Sequence, residues 1–221
     1  MKAAGKSKVL IIFAHPEAKS FCAAVKDTCA ETLKKHGHEV KVSDLYEMKM
    51  ILPLDKSDFT ELSNPDFFKP QLEQKMANEK QRKTFSPELQ AEHDKLEWCD
   101  TVLFVFPLYW FGMPGIMRNW CDRVLSMGFA YGPTEFGIKL RPRKGMVLYT
   151  TSGPKDFIGR FEPAIWQLTN ECMLGFCGIT ALEPYVAYAV AHIDNEARLK
   201  MLEEVKDIMS KLDDRAVYKT A

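Results

Sequence analysis

The chain has 221 residues, and its 30 Lys and Arg are matched by 30 Asp and Glu, so the formal net charge is zero. With 46% hydrophobic and 27% charged residues, it cannot be a disordered tail, a collagen-like repeat or a basic nucleic-acid arm. A chain of this size can bury roughly 70–75% of its unfolded surface in one core, so a single domain over 1–221 is expected, with no disulfide or metal needed to fold.

Lys8–Ala14 is an unbroken run rich in branched residues, the pattern of a strand buried on both faces of a parallel sheet. From Phe21 to Lys35, Phe21, Val25, Cys29 and Leu33 recur every four residues, with Ser20 to cap the start and Gly37 to end the turn. An amphipathic helix is expected there, followed by a second strand in His38–Leu45. Residues 46–90 carry charges and four prolines and predict an elaborated connection with short helical pieces. Ser86-Pro87-Glu88 starts a helix ending near Trp98, and Asp100–Phe106 reads as a third buried strand. A helix over Met113–Met127, a strand over Gly145–Thr151, a helix over Pro163–Gly175, a last strand over Ile179–Ala189 and a helix over Asn195–Leu212 complete the pattern. Strands alternating with helices predict a flavodoxin-like α/β sandwich with a five-stranded parallel sheet, order 2-1-3-4-5.

In that order a ligand lies beyond the carboxyl ends of strands 1 and 3, and three loops meet there. His15-Pro16-Glu17-Ala18-Lys19-Ser20-Phe21 leads into a helix start, where free amides, Lys19 and Ser20 suit a phosphate. There is no GxGxxG and no P-loop lysine motif. Pro107-Leu108-Tyr109-Trp110-Phe111-Gly112 places three consecutive aromatics on a strand-to-helix loop; in an extended segment they would diverge, so some must face a ligand or partner, and a flat heterocycle fits. Thr150-Thr151-Ser152-Gly153 adds hydroxyls and backbone donors at the same edge.

These strings, with Val42-Ser43-Asp44-Leu45-Tyr46, Leu62-Ser63-Asn64-Pro65, Asp122-Arg123-Val124, Gly128-Phe129-Ala130-Tyr131 and Gly175-Phe176-Cys177-Gly178, resemble the animal-type NAD(P)H:quinone oxidoreductases over nearly the whole chain. The resemblance implies a homodimer with FAD near the subunit interface. It places FAD contacts on His15, Ser20 and Phe21, on Leu108 to Phe111, on Thr150 to Gly153 and on Arg198, with Lys19 and Pro107 beside them. It further implies hydride transfer from NAD(P)H or a related dihydronicotinamide to flavin, then to a quinone, by ping-pong chemistry in a pocket walled by Trp110, Phe111 and Tyr131. Lys69 stands where the family has an amide side chain. Phe157 falls where the family has a pocket Tyr, and lacks the hydroxyl; no counterpart of the family's pocket His is present. Glu171 and Gly175 stand where one branch carries zinc-ligating histidines, so no metal is expected, and the chain stops short of the longer branch's carboxyl-terminal extension.

The remaining candidates read as structural. The cysteines at 22, 29, 99, 121, 172 and 177 form no CxxC pair and are expected to be reduced and mostly buried. His36, His38, His93 and His192 read as solvated, Met48, Met50 and Met113 as packing residues, and Lys80-Gln81-Arg82-Lys83 as a solvated basic run. The first apolar run is too short for a signal peptide, and Pro107, Gly112 and Pro114 break the Thr101–Met117 stretch, so a cytoplasmic protein with no membrane span and no nucleic-acid partner is expected. Two alternatives keep the flavin: an azo- or nitro-reductase, and a redox-sensing regulatory subunit.

Overall fold

A computed structural model describes residues 6–50, 53–79, 81, 83–132 and 140–219. The elements are β1 (Lys8–Phe13), α1 (Phe21–Lys35), β2 (Glu39–Asp44), α2 (Pro70–Glu79), α3 (Pro87–Trp98), β3 (Thr101–Pro107), α4 (Gly115–Val124), β4 (Arg143–Thr150), α5 (Lys155–Ile158), α6 (Glu162–Trp166), β5 (Ile179–Ala181), β6 (Tyr185–Ala187) and α7 (Asn195–Ser210). All strand pairs are parallel in the order β2-β1-β3-β4-β5, with β6 also paired to β4.

The central strands bury side chains on both faces, as their unbroken apolar runs require. Leu10, Ile12, Phe104 and Phe106 join the core that contains Trp120 of α4 and Leu89 of α3. Val9, Ile11, Phe13, Leu103 and Val105 pack instead with Val25 and Leu33 of α1 and Val205 and Met209 of α7. β2 is the edge, and its exposed Glu39 and Lys41 discourage a further strand from adding. The helix starts follow the sequence: the Ser20 hydroxyl accepts from the Ala23 amide at 3.1 Å and the Ser86 hydroxyl from the Leu89 amide at 3.4 Å. Gly37, at φ +89°, turns the chain out of α1.

The long connection is held by polar side chains rather than by a regular core. The Glu73 carboxylate of α2 accepts from the Ser63 amide at 2.7 Å, the Ser63 hydroxyl at 2.8 Å and the Asn64 amide at 3.1 Å. The Arg123 guanidinium of α4 donates to Asp58 at 2.9 and 2.7 Å, and both side chains are buried.

Four expectations are corrected. The last strand is broken into β5 and β6 around Pro184, which has no amide to give the ladder. The helix expected over Pro163–Gly175 is α6 followed by a wide π-helical stretch over Gln167–Leu174; the Thr169 hydroxyl donates to the Ile165 carbonyl at 2.9 Å and competes there with the helical ladder. His93 is not solvated: it is fully buried between Phe85 and Phe129, with Nε2 3.0 Å from the Val124 carbonyl. His38 is buried too, its Nδ1 accepting from the Ser7 amide. Five cysteines are buried and Cys172 is exposed, while Lys80 and Arg82 of the basic run lie outside the described residues.

Candidate functional site

At the carboxyl ends of β1, β4 and β6, His15, Lys19, Ser20, Phe21, Thr150 and Arg198 surround a hollow of about 510 Å³, together with Cys22, Ala24, Val190 and Ala191. The loop reading marked the first five and the family resemblance Arg198; nothing in the sequence marked Val190 or Ala191. No acidic residue occupies the first turn of α1, so its amide end keeps its full positive character. His15 Nδ1 accepts from the Glu17 amide at 3.0 Å, which leaves Nε2 to carry the proton of the neutral ring and to act as a donor. Arg198 is aimed by the Val190 carbonyl, which accepts from its Nε at 3.1 Å and Nη2 at 3.0 Å, and Asn195 accepts from Nη1 at 2.9 Å. Burial pushes the Cys22 thiol up to about 12, so the hollow contains a neutral thiol and no thiolate nucleophile.

Beyond Pro107, the Leu108 amide donates to the Thr150 carbonyl at 2.8 Å and ties the β3 and β4 loops together. Tyr109–Gly112 does not run on in extended form, as the sequence reading assumed. The Tyr109 and Gly112 amides and carbonyls exchange hydrogen bonds at 3.1 and 3.0 Å, closing a two-residue turn. Trp110 and Phe111 sit inside it at φ +49° and +58°, the left-handed geometry of a type I′ turn. Two consecutive bulky aromatics there cost on the order of 1–3 kcal/mol each. The turn leaves Trp110 98% exposed.

The aromatics it presents have different neighbours. Phe111 packs on Phe161 at 4.7 Å and Phe157 at 6.4 Å between ring centroids. Tyr131 packs on Phe176 at 5.3 Å, and shares with Phe111 the walls of a larger cavity of about 560 Å³ that also includes Met113, Leu168, Cys172 and Met173. Neither Trp110 nor Phe157 lines that cavity. Phe161 and Phe176 were missed as site residues, although the four-residue spacing from Phe157 to Phe161 on a short helical segment was a readable signal. Burial raises the Tyr131 phenol above its ordinary value, so it stays a neutral donor.

The β4 loop is shaped by a glycine and a threonine. A Cβ on Gly153 would come within 2.7 Å of the Ile158 side chain, which would have to shift to admit one. The Thr151 hydroxyl accepts from the Gly153 amide at 3.1 Å and keeps its own proton to donate, while Ser152 is exposed at the tip. Residues Ala187 to Val190 brace this loop: the Thr151 amide donates to Ala187 at 2.9 Å, and Ala189 and Val190 donate to Gly153 and Thr151 at 3.0 Å each. Tyr188, on that brace, donates to the buried Glu162 carboxylate. Lys69 lines neither cavity, and its ammonium lies 5.6 Å from the Phe67 ring.

A family model described as Flavodoxin-like fold matches residues 7–209. NAD(P)H dehydrogenase [quinone] 1 of Rattus norvegicus is 37% identical over 89% of this chain and 74% of its own length. Ribosyldihydronicotinamide dehydrogenase [quinone] of the same species is 36% identical over 90% and 88%. The chain belongs to the flavodoxin-like NAD(P)H:quinone oxidoreductase family. A solved structure assigned as a quinone reductase from Klebsiella pneumoniae superposes with a TM-score of 0.87 at 32% identity, covering 96% of this chain and 87% of that one. This oxidoreductase family match spans the loops described above and the long connection held by Glu73 and Arg123. Among the described residues no helix is long and apolar enough to cross a membrane.

Proposed function

We propose that this chain is a cytoplasmic, homodimeric, FAD-dependent oxidoreductase of 1–221 as one domain, which passes hydride from NAD(P)H or a related dihydronicotinamide to quinones by a ping-pong mechanism. The observation that carries the reading is the convergence, at one sheet edge, of the α1 start with Lys19 and Arg198, the strained aromatic turn, and the Thr151–Gly153 loop. The donor set fits a flavin dinucleotide: cations and free amides for a diphosphate at one end, aromatic surface and backbone donors for a heterocycle at the other.

Bound FAD would supply two-electron chemistry, accepting hydride and passing it on. Lys19, Arg198 and the α1 amides would hold its phosphates, with the His15 Nε2–H and the Ser20 hydroxyl as neutral partners. The Trp110 and Phe111 amides, in a turn whose backbone is set before any ligand arrives, would serve as donors to the heterocycle. The Phe111, Phe157 and Phe161 rings pack on one another and would offer an apolar wall to the bound heterocycle. Phe157 offers no proton there, which leaves the Tyr131 phenol as the hydroxyl donor beside Phe111. One aromatic pocket serving both donor and acceptor forces the first to leave before the second enters, which is the ping-pong order.

The homodimer reading is supported by exposed apolar side chains beside the larger cavity: Leu168 at 64% and Phe176 at 67%. The test begins with the visible spectrum of the purified protein and extraction of the flavin to separate FAD from FMN. A yellow protein releasing FAD, parallel double-reciprocal lines with NAD(P)H and a quinone, and a dimer on sedimentation are expected. A colourless protein that takes up no FAD overturns the reading, and faster turnover of azo or nitro acceptors than of quinones would move it to the reductase alternative.

A further inference from the structure

Arg143 opens β4 at the sheet edge opposite the candidate flavin site, and it is 5% exposed. Its Nε donates to the Arg141 carbonyl at 3.1 Å, and its Nη1 to the Cys99 carbonyl at 3.2 Å and to the Cys99 sulfur at 3.5 Å. Among the described residues its Nη2 has no partner, and no carboxylate lies within ion-pair distance of the guanidinium. Cys99 supplies no counter-charge, because burial raises its thiol above the ordinary value and keeps it neutral. Glu97 acts on Arg143 only through its field. A buried cation left with neutral acceptors alone is costly, because nothing nearby offsets the loss of its hydration.

The cation stands in the wall of a cavity of about 450 Å³ shared with Arg141, Lys144, Ser7, Thr101 and Thr180. Two carboxylates are present, and both are engaged. Asp100 accepts from the Lys8 amide at 2.8 Å and from Arg141 at 2.9 Å, and Asp213 accepts from the Ser7 hydroxyl at 2.9 Å. The Lys144 ammonium donates to the Asp213 backbone carbonyl at 2.9 Å rather than to its carboxylate. Three cations therefore line this cavity against two carboxylates.

We propose that this cavity binds a small phosphate-type oxyanion, with Arg141 and Lys144 as the contacting cations and Arg143 as the buried charge that the anion balances. The chemistry is that of inorganic phosphate or of a phosphomonoester on a small molecule. At about 3.3 Å per strand residue, the length of β4 separates this cavity from the flavin-binding loops by about 25 Å, so the site acts on stability and not on hydride transfer.

The test uses the full chain in phosphate-free buffer, with thermal unfolding and calorimetric titration against sodium phosphate, adenosine monophosphate, and sodium chloride at matched ionic strength. Phosphate is expected to raise the unfolding midpoint saturably, by roughly 2–4 °C above the chloride control. The Arg141→Gln/Lys144→Gln double variant should lose that gain and bind at least tenfold more weakly, whereas Arg198→Gln, altered at the α1 hollow, should keep it. Arg143→Met should unfold at a midpoint indifferent to phosphate; if it fails to fold, the surface double variant decides alone. A response to adenosine monophosphate without one to inorganic phosphate supports the site with a phosphomonoester as its ligand. A phosphate effect equal to chloride, one that survives in the double variant, or one lost only in Arg198→Gln overturns the proposal.

Discussion

Residues Tyr109–Gly112 and the Asp58–Arg123 contact use free energy in opposite ways. In the turn, two aromatics take up left-handed backbone and Trp110 is held out in solvent, so the chain is strained where it gains no burial. Between Asp58 and Arg123, opposite charges are removed from water together and joined through Asp58 Oδ1 at 2.7 and 2.9 Å, which fastens the long connection onto α4. The first arrangement makes sense only if something docks on the turn. The second needs no ligand. Strain without compensation thus separates a binding element from a structural one, even though both are built from side chains that sequence patterns would rank as functional.

The largest way to break this contrast is to remove one half of the buried pair. Arg123→Ala should cost about 3–5 kcal/mol in denaturant unfolding, because Asp58 would be left buried and unpaired; a loss below 1 kcal/mol would show that the connection is anchored elsewhere. Next, Arg198→Gln or Lys19→Gln should weaken FAD binding by about 1.5–3 kcal/mol with little change in unfolding, read by flavin fluorescence on titration. Trp110→Gly should do the reverse of Arg123→Ala: stabilise the free chain by up to about 1 kcal/mol by relieving the turn, while weakening flavin binding. If it destabilises the free chain, the turn is not strained.

Smaller effects sharpen the picture through titration. Backbone bonding from Lys8 and the Arg141 contact hold the Asp100 carboxyl below its ordinary 3.8. A depressed folded value adds stability that is present above the unfolded value and is lost as pH falls through the folded one. Asp100→Asn should therefore flatten the acid limb of the stability curve below about pH 4, with no change at neutral pH beyond the lost ion pair. With Cys22 and Cys121 pushed up to about 12 and Cys177 to about 11, a thiol reagent at pH 8 should label exposed Cys172 first and the other five only on unfolding.

Much of this was legible in the residues. The run Val9–Phe13 and the stretch Thr101–Phe106 marked central strands because strands buried on both faces cannot alternate, and Ser20 and Ser86 marked helix starts because a side-chain oxygen must meet the free amides. Lys19 and Ser20 were also readable as a helix start, whereas Arg198 was expected only from the family resemblance, and the structure brings the two distant segments to one hollow. The π-helical stretch and the burial of His93 were not readable, since each depends on a partner brought in from elsewhere in the chain: Thr169 folding back on Ile165, and Val124 offering a carbonyl inside the core.

The sequence by itself determined the layers, the strand order and which loops share an edge, because hydrophobic period and capping are local and the crossover hand is fixed. Only the tertiary structure decided how those loops are used. The packing of Phe161 on Phe111 and the burial of Arg143 against the Cys99 carbonyl arise from contacts between segments distant in the chain, while the left-handed backbone of Trp110 and Phe111 sits in a turn that Tyr109 and Gly112 close. Local propensity favours none of these, and packing the whole chain around one sheet imposes the first two.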